Sequence, residues 1–414
     1  MNFDPRRPLH SQSAFDVVVV GASIAGCTAA RLFALAGARV ALVERRPDPA
    51  AYKVLCTHAI LSSALPTIER LGLAALLEAR GAVRTHPEVW TPHGGWIRFP
   101  VDVPHGYGVT RATLDPMLRE LAAATPGVDL LLGQAAVDLL NDGDRIVGVE
   151  LESPNGDVRS LRAGLVVGAD GRNSTVARLA QMPGRVRPNN RSFYFAYWRG
   201  VRPRTSHPRL WLLDPEVAAA FPNEDDTTVV VAAPHRSRLA AVRADPEAAY
   251  RRMVARLPGG PDLDGAERVS KLIGALDLPN VMRPAARPGL ALVGDAALAA
   301  DPVFGVGCGW ALQSAEWLVD YTASAVVADG NLDGALDRYR RAFRRRLGLH
   351  HYWQITDFAS GRKLRASERI AFHAAAADPA FARTVEEVAS RRHSSLRMLD
   401  PRLPPRALRG LMRK

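Results

Sequence analysis

The sequence predicts an α/β protein. A mostly parallel sheet with helices packed on it carries an inserted second β-sheet and ends in a helical C-terminal region. Three observations predict the parallel sheet and its helices. First, Val17 to Val20 form a continuous apolar run, as a strand buried on both faces requires. A glycine turn follows, then a helical stretch from Ala25 to Ala36 and a second strand from Arg39 to Val43. Second, "GLVVGADGRNSTVARLA", residues 164–180, repeats the order of apolar strand, acid and helix start. Third, the apolar run from Gly289 to Gly294 stops at Asp295. Pro302, Gly305, Gly307 and Gly309 then precede a helical stretch expected to begin near Trp310.

At 414 residues the chain is too long for one small core, so two or three structural regions are expected. Its 47% hydrophobic and 23% charged residues make an ordinary globular balance. The longer apolar stretches are broken by Gly, Ser or Asp, so no membrane helix is expected. The opening "MNFDPRRPLHSQSAFD" lacks an apolar core and does not read as a secretory signal. Cys27, Cys56 and Cys308 are odd in number and scattered. They suggest a reducing, cytoplasmic setting and no metal site. Of the net charge of +12, residues 331–414 supply 19 Lys or Arg against 8 Asp or Glu. Basic character therefore belongs to the tail. "DRYRRAFRRRLG" reads most simply as an exposed helix face, with weak contact to an anionic membrane surface or acidic partner as the alternative. No nucleic-acid-reading module accompanies it.

The first unit is Rossmann-like. In its turn, Gly21 allows the tight bend and Gly26 lets the helix pack close to the sheet. The helix N-terminus offers free N–H groups to a pyrophosphate. Ser23 stands where the usual fingerprint has a second glycine, and its hydroxyl is small enough to reach a phosphate. Glu44 ends the second strand, where a carboxylate can accept the hydroxyls of an adenine ribose, which argues against a bound 2′-phosphate. A plain βαβ crossover is the bland alternative. Asp170 has its own bland reading, a helix cap. The third stretch selects the dinucleotide. Asp295 can accept a bond from a sugar-alcohol chain, and bare N–H groups around Gly305–Gly309 can stabilise a ring that becomes anionic on reduction. FAD has both features and NAD has neither.

These motifs together resemble the p-hydroxybenzoate hydroxylase superfamily, the class A flavoprotein monooxygenases. The likeness is carried by Gly21–Gly26 with Glu44, by Gly168-Ala169-Asp170-Gly171 with Ser174 and Arg178, and by Gly294-Asp295 with Pro302, Gly305 and Gly307. "RATLDPML", with Arg111, Leu114 and Leu118, resembles a further element, and the set spans about residues 15 to 325. Leu298 and Gly309 depart from the family, which often has His and Asn there. The paired-Trp motif of flavin-dependent halogenases is not found.

The resemblance implies an FAD-binding domain from residues 1–82, 107–178 and 283–330. A β-sheet substrate domain would take 83–106 and 179–282, and the basic helical region 331–414. Ser23, Ile24, Ala25 and Gly26 would meet pyrophosphate, and Glu44, with Arg45 beside it, the adenosine ribose. Arg111 would lie near ribose and pyrophosphate, Val137 beside the adenine, and Asp295 on the ribityl chain. Gly307 and Cys308 would face the ring's pyrimidine edge. Lys53 is a candidate for flavin or nicotinamide charge, and Asp170 for support of the nucleotides. His58 and Tyr197 are the catalytic candidates, and Tyr194, Trp211, Pro302 and Phe304 candidate pocket residues. The bland reading of Tyr194, Tyr197 and Trp211 is sheet core. "EVWTPHGGWIRFP" reads as a hairpin turning at His93-Gly94-Gly95.

The implied reaction consumes NADPH or NADH, O₂ and a largely apolar aromatic, polyketide or terpenoid substrate. An oxygen would be delivered from a hydroperoxide at ring carbon C4a, as hydroxyl or epoxide. Alternatives are double-bond reduction, dehydrogenation or halogenation on the same cofactor, a non-catalytic FAD-binding scaffold, and an NAD-only dehydrogenase.

Overall fold

In the computed structural model, residues 15–203, 205 and 207–399 are described. The opening segment and the end of the basic tail, both read above, lie outside the described residues. The architecture is the expected α/β fold. The first sheet runs Ala286–Arg287, Leu290–Leu292, Val158–Gly168, Phe15–Val20, Val40–Glu44, Val128–Leu132. Its central pairs are parallel, from Leu290–Leu292 across to Val128–Leu132. Val17, Val18 and Val19 are fully buried, which explains the unbroken apolar run. An antiparallel meander, Ala135–Asp142 and Arg145–Glu152, folds back onto Val158–Gly168.

Helix Ile24–Leu35 lies between this sheet and helices Arg111–Ala123 and Val306–Val327, and ten of its twelve residues are buried. That placement requires small residues at its start. A Cβ on Gly26 would stand 1.7 Å from the Gly21 carbonyl oxygen. Gly21 itself adopts φ +106°, and a Cβ there would meet the Ala169 carbonyl oxygen at 2.6 Å. Helix 306–327 starts earlier than expected, at Val306 rather than near Trp310. Gly305, with φ +64°, makes its N-cap, so the helix begins at once and Gly307 and Gly309 lie in its first turns.

The second sheet runs Glu267–Arg268, Phe193–Arg199, Thr227–Ala233, Val217–Pro222, Arg209–Leu212, Glu88–Thr91, Gly95–Ile97. The hairpin 88–97 turns where expected and joins Arg209–Leu212 in parallel. Helix Leu332–His350 buries Leu336, Tyr339, Phe343 and Leu347 against the first domain, and Tyr339 Oη donates to Leu292 O at 2.9 Å. Its arginines 338, 341, 344 and 345 are exposed. Helices Ala366–Ala377 and Pro379–Ala389 close over Ile97 of the second sheet and Phe99 just after it.

The glycine geometry predicts a contrast. Gly26→Ala should cost about 1–3 kcal/mol or more, because helix and strand must separate. Gly307→Ala, where a Cβ meets nothing within 4 Å, should stay within about 1 kcal/mol. Urea unfolding of both variants checks this, and equal losses would refute it.

Candidate functional site

The three strand ends meet one groove. Gly21, Ser23, Ile24, Ala25, Glu44, Arg45, Lys53, Arg111, Asp170, Asp295, Pro302, Gly305, Gly307 and Cys308 all line a cavity of ≈ 880 Å³. Gly26 lies behind it, holding helix to strand. Val137 is a correction. Its strand has run past the cavity by that point, and Gln134, Ala135 and Ala136 form the lining instead.

One end of the groove suits a diphosphate. Helix 24–35 has no side-chain cap and no acid in its first turn, so its leading N–H groups are open to an anion. The Ser23 hydroxyl is turned aside. It accepts from Arg111 Nη2 at 2.5 Å and donates to Asp115 at 3.4 Å. Arg111 grips Asp115 through Nε at 2.7 Å and Nη2 at 2.9 Å, and the Asp115 side chain is fully buried. Glu44 accepts from the Ala22 N–H at 3.1 Å and from Arg46. Burial alone would raise its carboxyl. These hydrogen bonds hold it below the usual range, and thus ionised and ready to accept. Asp170 is committed to the next helix start, accepting from Ser174 Oγ at 2.5 Å and Val176 N–H at 3.0 Å.

Toward the middle, Lys53 Nζ reaches Asp295 at 2.8 Å. Burial would raise the Asp295 carboxyl, and the Lys53 charge and further cations hold it low. The far wall is apolar: Phe193, Phe195, Val231 and Leu278. Side chains alternate along strand 193–199. Tyr194 therefore points to the other face and packs with Trp198 and Tyr250 in a separate core. Trp211 joins that core and donates Nε1 to Pro258 O at 3.0 Å. Neither lines the groove, which corrects their assignment as pocket residues. Phe304 is also corrected. It packs on Phe358, with ring centroids 5.3 Å apart, while Pro302 keeps its place in the lining.

His58 and Tyr197 meet, although neither forms the groove's lining. His58 Nδ1 accepts from the Arg111 N–H at 2.8 Å, so Nε2 carries the proton toward Tyr197 Oη at 2.5 Å. Tyr197 in turn donates to Val54 O at 3.2 Å. With both ring nitrogens occupied, His58 holds Arg111 and Tyr197 in place. Burial keeps its imidazole neutral.

Several groups escaped sequence reasoning. Arg172 Nη2 donates to Ala300 O at 2.9 Å, and Arg283 to Ala296 O at 2.9 Å and Arg172 O at 3.0 Å, all at the groove's edge. Buried Asp301 accepts from Asn189 at 3.0 Å, caps Val303 at 2.8 Å and pairs with Arg191 at 3.4 Å. Arg172 follows Asp170-Gly171 directly, which was a usable signal. The Asn189–Arg191–Asp301 group had none, because Asp301 lies more than a hundred residues from the other two.

These features fit FAD: an uncapped helix N-terminus, an ionised Glu44, and an exposed backbone at Gly307 where a Cβ would meet nothing. Residues 14–357 match the family described as "FAD binding domain". The chain belongs to this family of p-hydroxybenzoate hydroxylase-like flavoproteins. It is therefore a flavin-dependent oxidoreductase by family. A digeranylgeranylglycerophospholipid reductase 2 of Methanothermobacter thermautotrophicus is 28% identical over 341 residues, covering 81% of this chain and 84% of the relative. A menaquinone reductase of Mycolicibacterium smegmatis is 29% identical over 333 residues, covering 76% and 78%. The crystal structure of p-nitrophenol 4-monooxygenase from Pseudomonas putida superposes with a TM-score of 0.72 at 20% identity, covering 91% of this chain and 97% of that one. Among the described residues, no helix is long and apolar enough to cross a membrane, and no cluster could hold a metal ion.

Two predictions follow from the charges. Arg111→Ala strands the buried Asp115 carboxylate and should cost about 3–5 kcal/mol. Lys53→Ala removes an exposed partner and should cost at most about 1 kcal/mol. Denaturation midpoints of the two variants decide this. The second concerns acid. Burial pushes His58 below its ordinary value, His86 and His351 down to about 4 and His350 to about 3. The unfolded chain then binds protons before the folded one. Their contribution is fully present above about pH 6.5 and is lost as pH falls from there toward about 4. Urea midpoints should drop between pH 7 and pH 5; a flat profile would contradict the burial of these rings.

Proposed function

We propose that the protein is an FAD-dependent reductase of carbon–carbon double bonds in an isoprenoid lipid or quinone, with NADPH or NADH as reductant. The observation that carries this is that Phe193, Phe195, Val231 and Leu278 give the groove an apolar stretch of lining that suits a hydrocarbon chain. The two relatives, alike along most of both chains and named for reduction of prenylated compounds, support it. The uncapped N–H groups from Ser23 to Gly26 would hold the pyrophosphate, Glu44 the adenosine ribose and Asp295 the ribityl chain. The N–H groups of Gly307 and Cys308 would meet the ring. FAD, when bound, supplies the two-electron transfer. The apolar wall accepts a hydrocarbon chain and excludes water. Tyr197 Oη is kept protonated chiefly by burial and is backed by His58; it would have to leave Val54 O to give its proton to a substrate. A cytoplasmic setting belongs to this proposal.

The second reading is the hydroxylase or epoxidase implied by the motifs, with O₂ as co-substrate. The same apolar wall suits it. One experiment separates them. FAD-loaded protein is given NADPH or NADH and a geranylgeranyl lipid or menaquinone, with and without air, and products are weighed by mass spectrometry. Reductase activity adds two hydrogens per double bond and proceeds without O₂. A product heavier by one oxygen, formed only in air, would establish the hydroxylase reading; a halogenated product with added halide would refute both.

A further inference from the structure

Two cysteines far apart in sequence face each other at the groove. Cys56, on the loop after strand 40–44, and Cys308, in the first turn of helix 306–327, have sulfurs 3.6 Å apart. Both line the cavity, and all three cysteines are unpaired thiols. The surroundings distinguish the two sulfurs. Cys56 Sγ accepts from the His58 N–H at 3.3 Å and from Arg111 Nη1 at 3.8 Å. These two donors favour the negative charge on Cys56, with Cys308 as the donor between the two sulfurs. The hydrogen bond from Cys308, with the Arg111 and Lys53 charges nearby, draws Cys56 well below the ordinary thiol range against its burial. The same bond and burial push Cys308 up. Cys27 is an internal control: it is 1% exposed and raised by burial. It does not line the cavity.

We propose that Cys56 and Cys308 form a redox-active dithiol that hydrogen peroxide converts to a disulfide. Cys56 is the attacking sulfur and Cys308 the resolving one. The Cys56 thiolate attacks one peroxide oxygen; the S–O bond forms, the O–O bond breaks and hydroxide leaves. Cys308 then attacks the Cys56 sulfur; the S–S bond forms, the S–O bond breaks, and its proton leaves with the oxygen as water. Two thiols and one peroxide give one disulfide and two waters. The sulfurs must close from 3.6 Å to about 2.05 Å, which the loop carrying Cys56 can supply. The disulfide would tie that loop, with Lys53 and His58, to the start of helix 306–327. This proposal does not depend on the substrate or on the reaction assigned above.

The test uses the purified protein, with its flavin, treated with stoichiometric hydrogen peroxide. The free-thiol titre in denaturant should fall from three to one, with an intact mass lower by two hydrogens. Peptide mapping should find Cys56 joined to Cys308, and dithiothreitol should reverse the change. In Cys308→Ser, dimedone should trap a sulfenic acid on Cys56, whereas Cys308 in Cys56→Ser should react far more slowly. A titre that stays at three, or oxidation confined to Cys27, would overturn the proposal. Should either variant fold poorly, iodoacetamide alkylation of the unaltered protein decides the order. Cys56 must be labelled first, and faster labelling of Cys308 or Cys27 would contradict the assignment.

Discussion

The close approach of helix 24–35 to its sheet is the constraint on which the rest depends. The carbonyl of Gly21 occupies space that any Cβ on Gly26 would need, and Gly21 sits equally close to the Ala169 carbonyl. Two neighbouring strands and one helix are thus locked at backbone contact. The helix N-terminus is brought to the C-terminal edge of the sheet, where Glu44, Asp170 and Asp295 also end up. Without that contact these acids would still exist, but they would not border one groove.

Electrostatics then divides the groove. At one end lie open N–H groups, with Asp115 neutralised by Arg111 and Glu44 held ionised by its hydrogen bonds. In the middle Asp295 is kept ionised by its cationic neighbours. Phe193, Phe195, Val231 and Leu278 add hydrocarbon to the lining. A ligand with a charged diphosphate, a polyhydroxyl chain and a flat ring fits this sequence of environments, and the apolar wall is left to a second, oily molecule. The buried Asp301, tied to Asn189 and Arg191, fixes the Pro302–Phe304 turn between the two.

Much of this was legible in the sequence because its causes are local. An apolar run marks a strand buried on both faces, and glycine marks a place where backbone must approach backbone. Hence most of the expected cofactor residues fell on one cavity. The misses have a different cause. Whether Tyr194 or Phe195 faces the groove depends on strand phase, and the run "SFYFAYW" is apolar on both faces, so periodicity could not decide it. Trp211 and Phe304 were displaced for the same reason, each being claimed by a core that forms only when distant segments pack. Val137 fell one residue beyond the lining segment 134–136. The Cys56–Cys308 pair and the Arg191–Asp301 pair join segments 252 and 110 residues apart, and no local pattern announces such meetings.

The most direct measurement is a titration of purified, flavin-stripped protein with FAD, followed by visible absorbance and quenching of flavin fluorescence. Saturation at one FAD per chain, abolished by Glu44→Arg together with Asp295→Arg, is the expected result. A protein that leaves FAD fluorescence unchanged at every concentration would contradict the central claim that the groove is a flavin site.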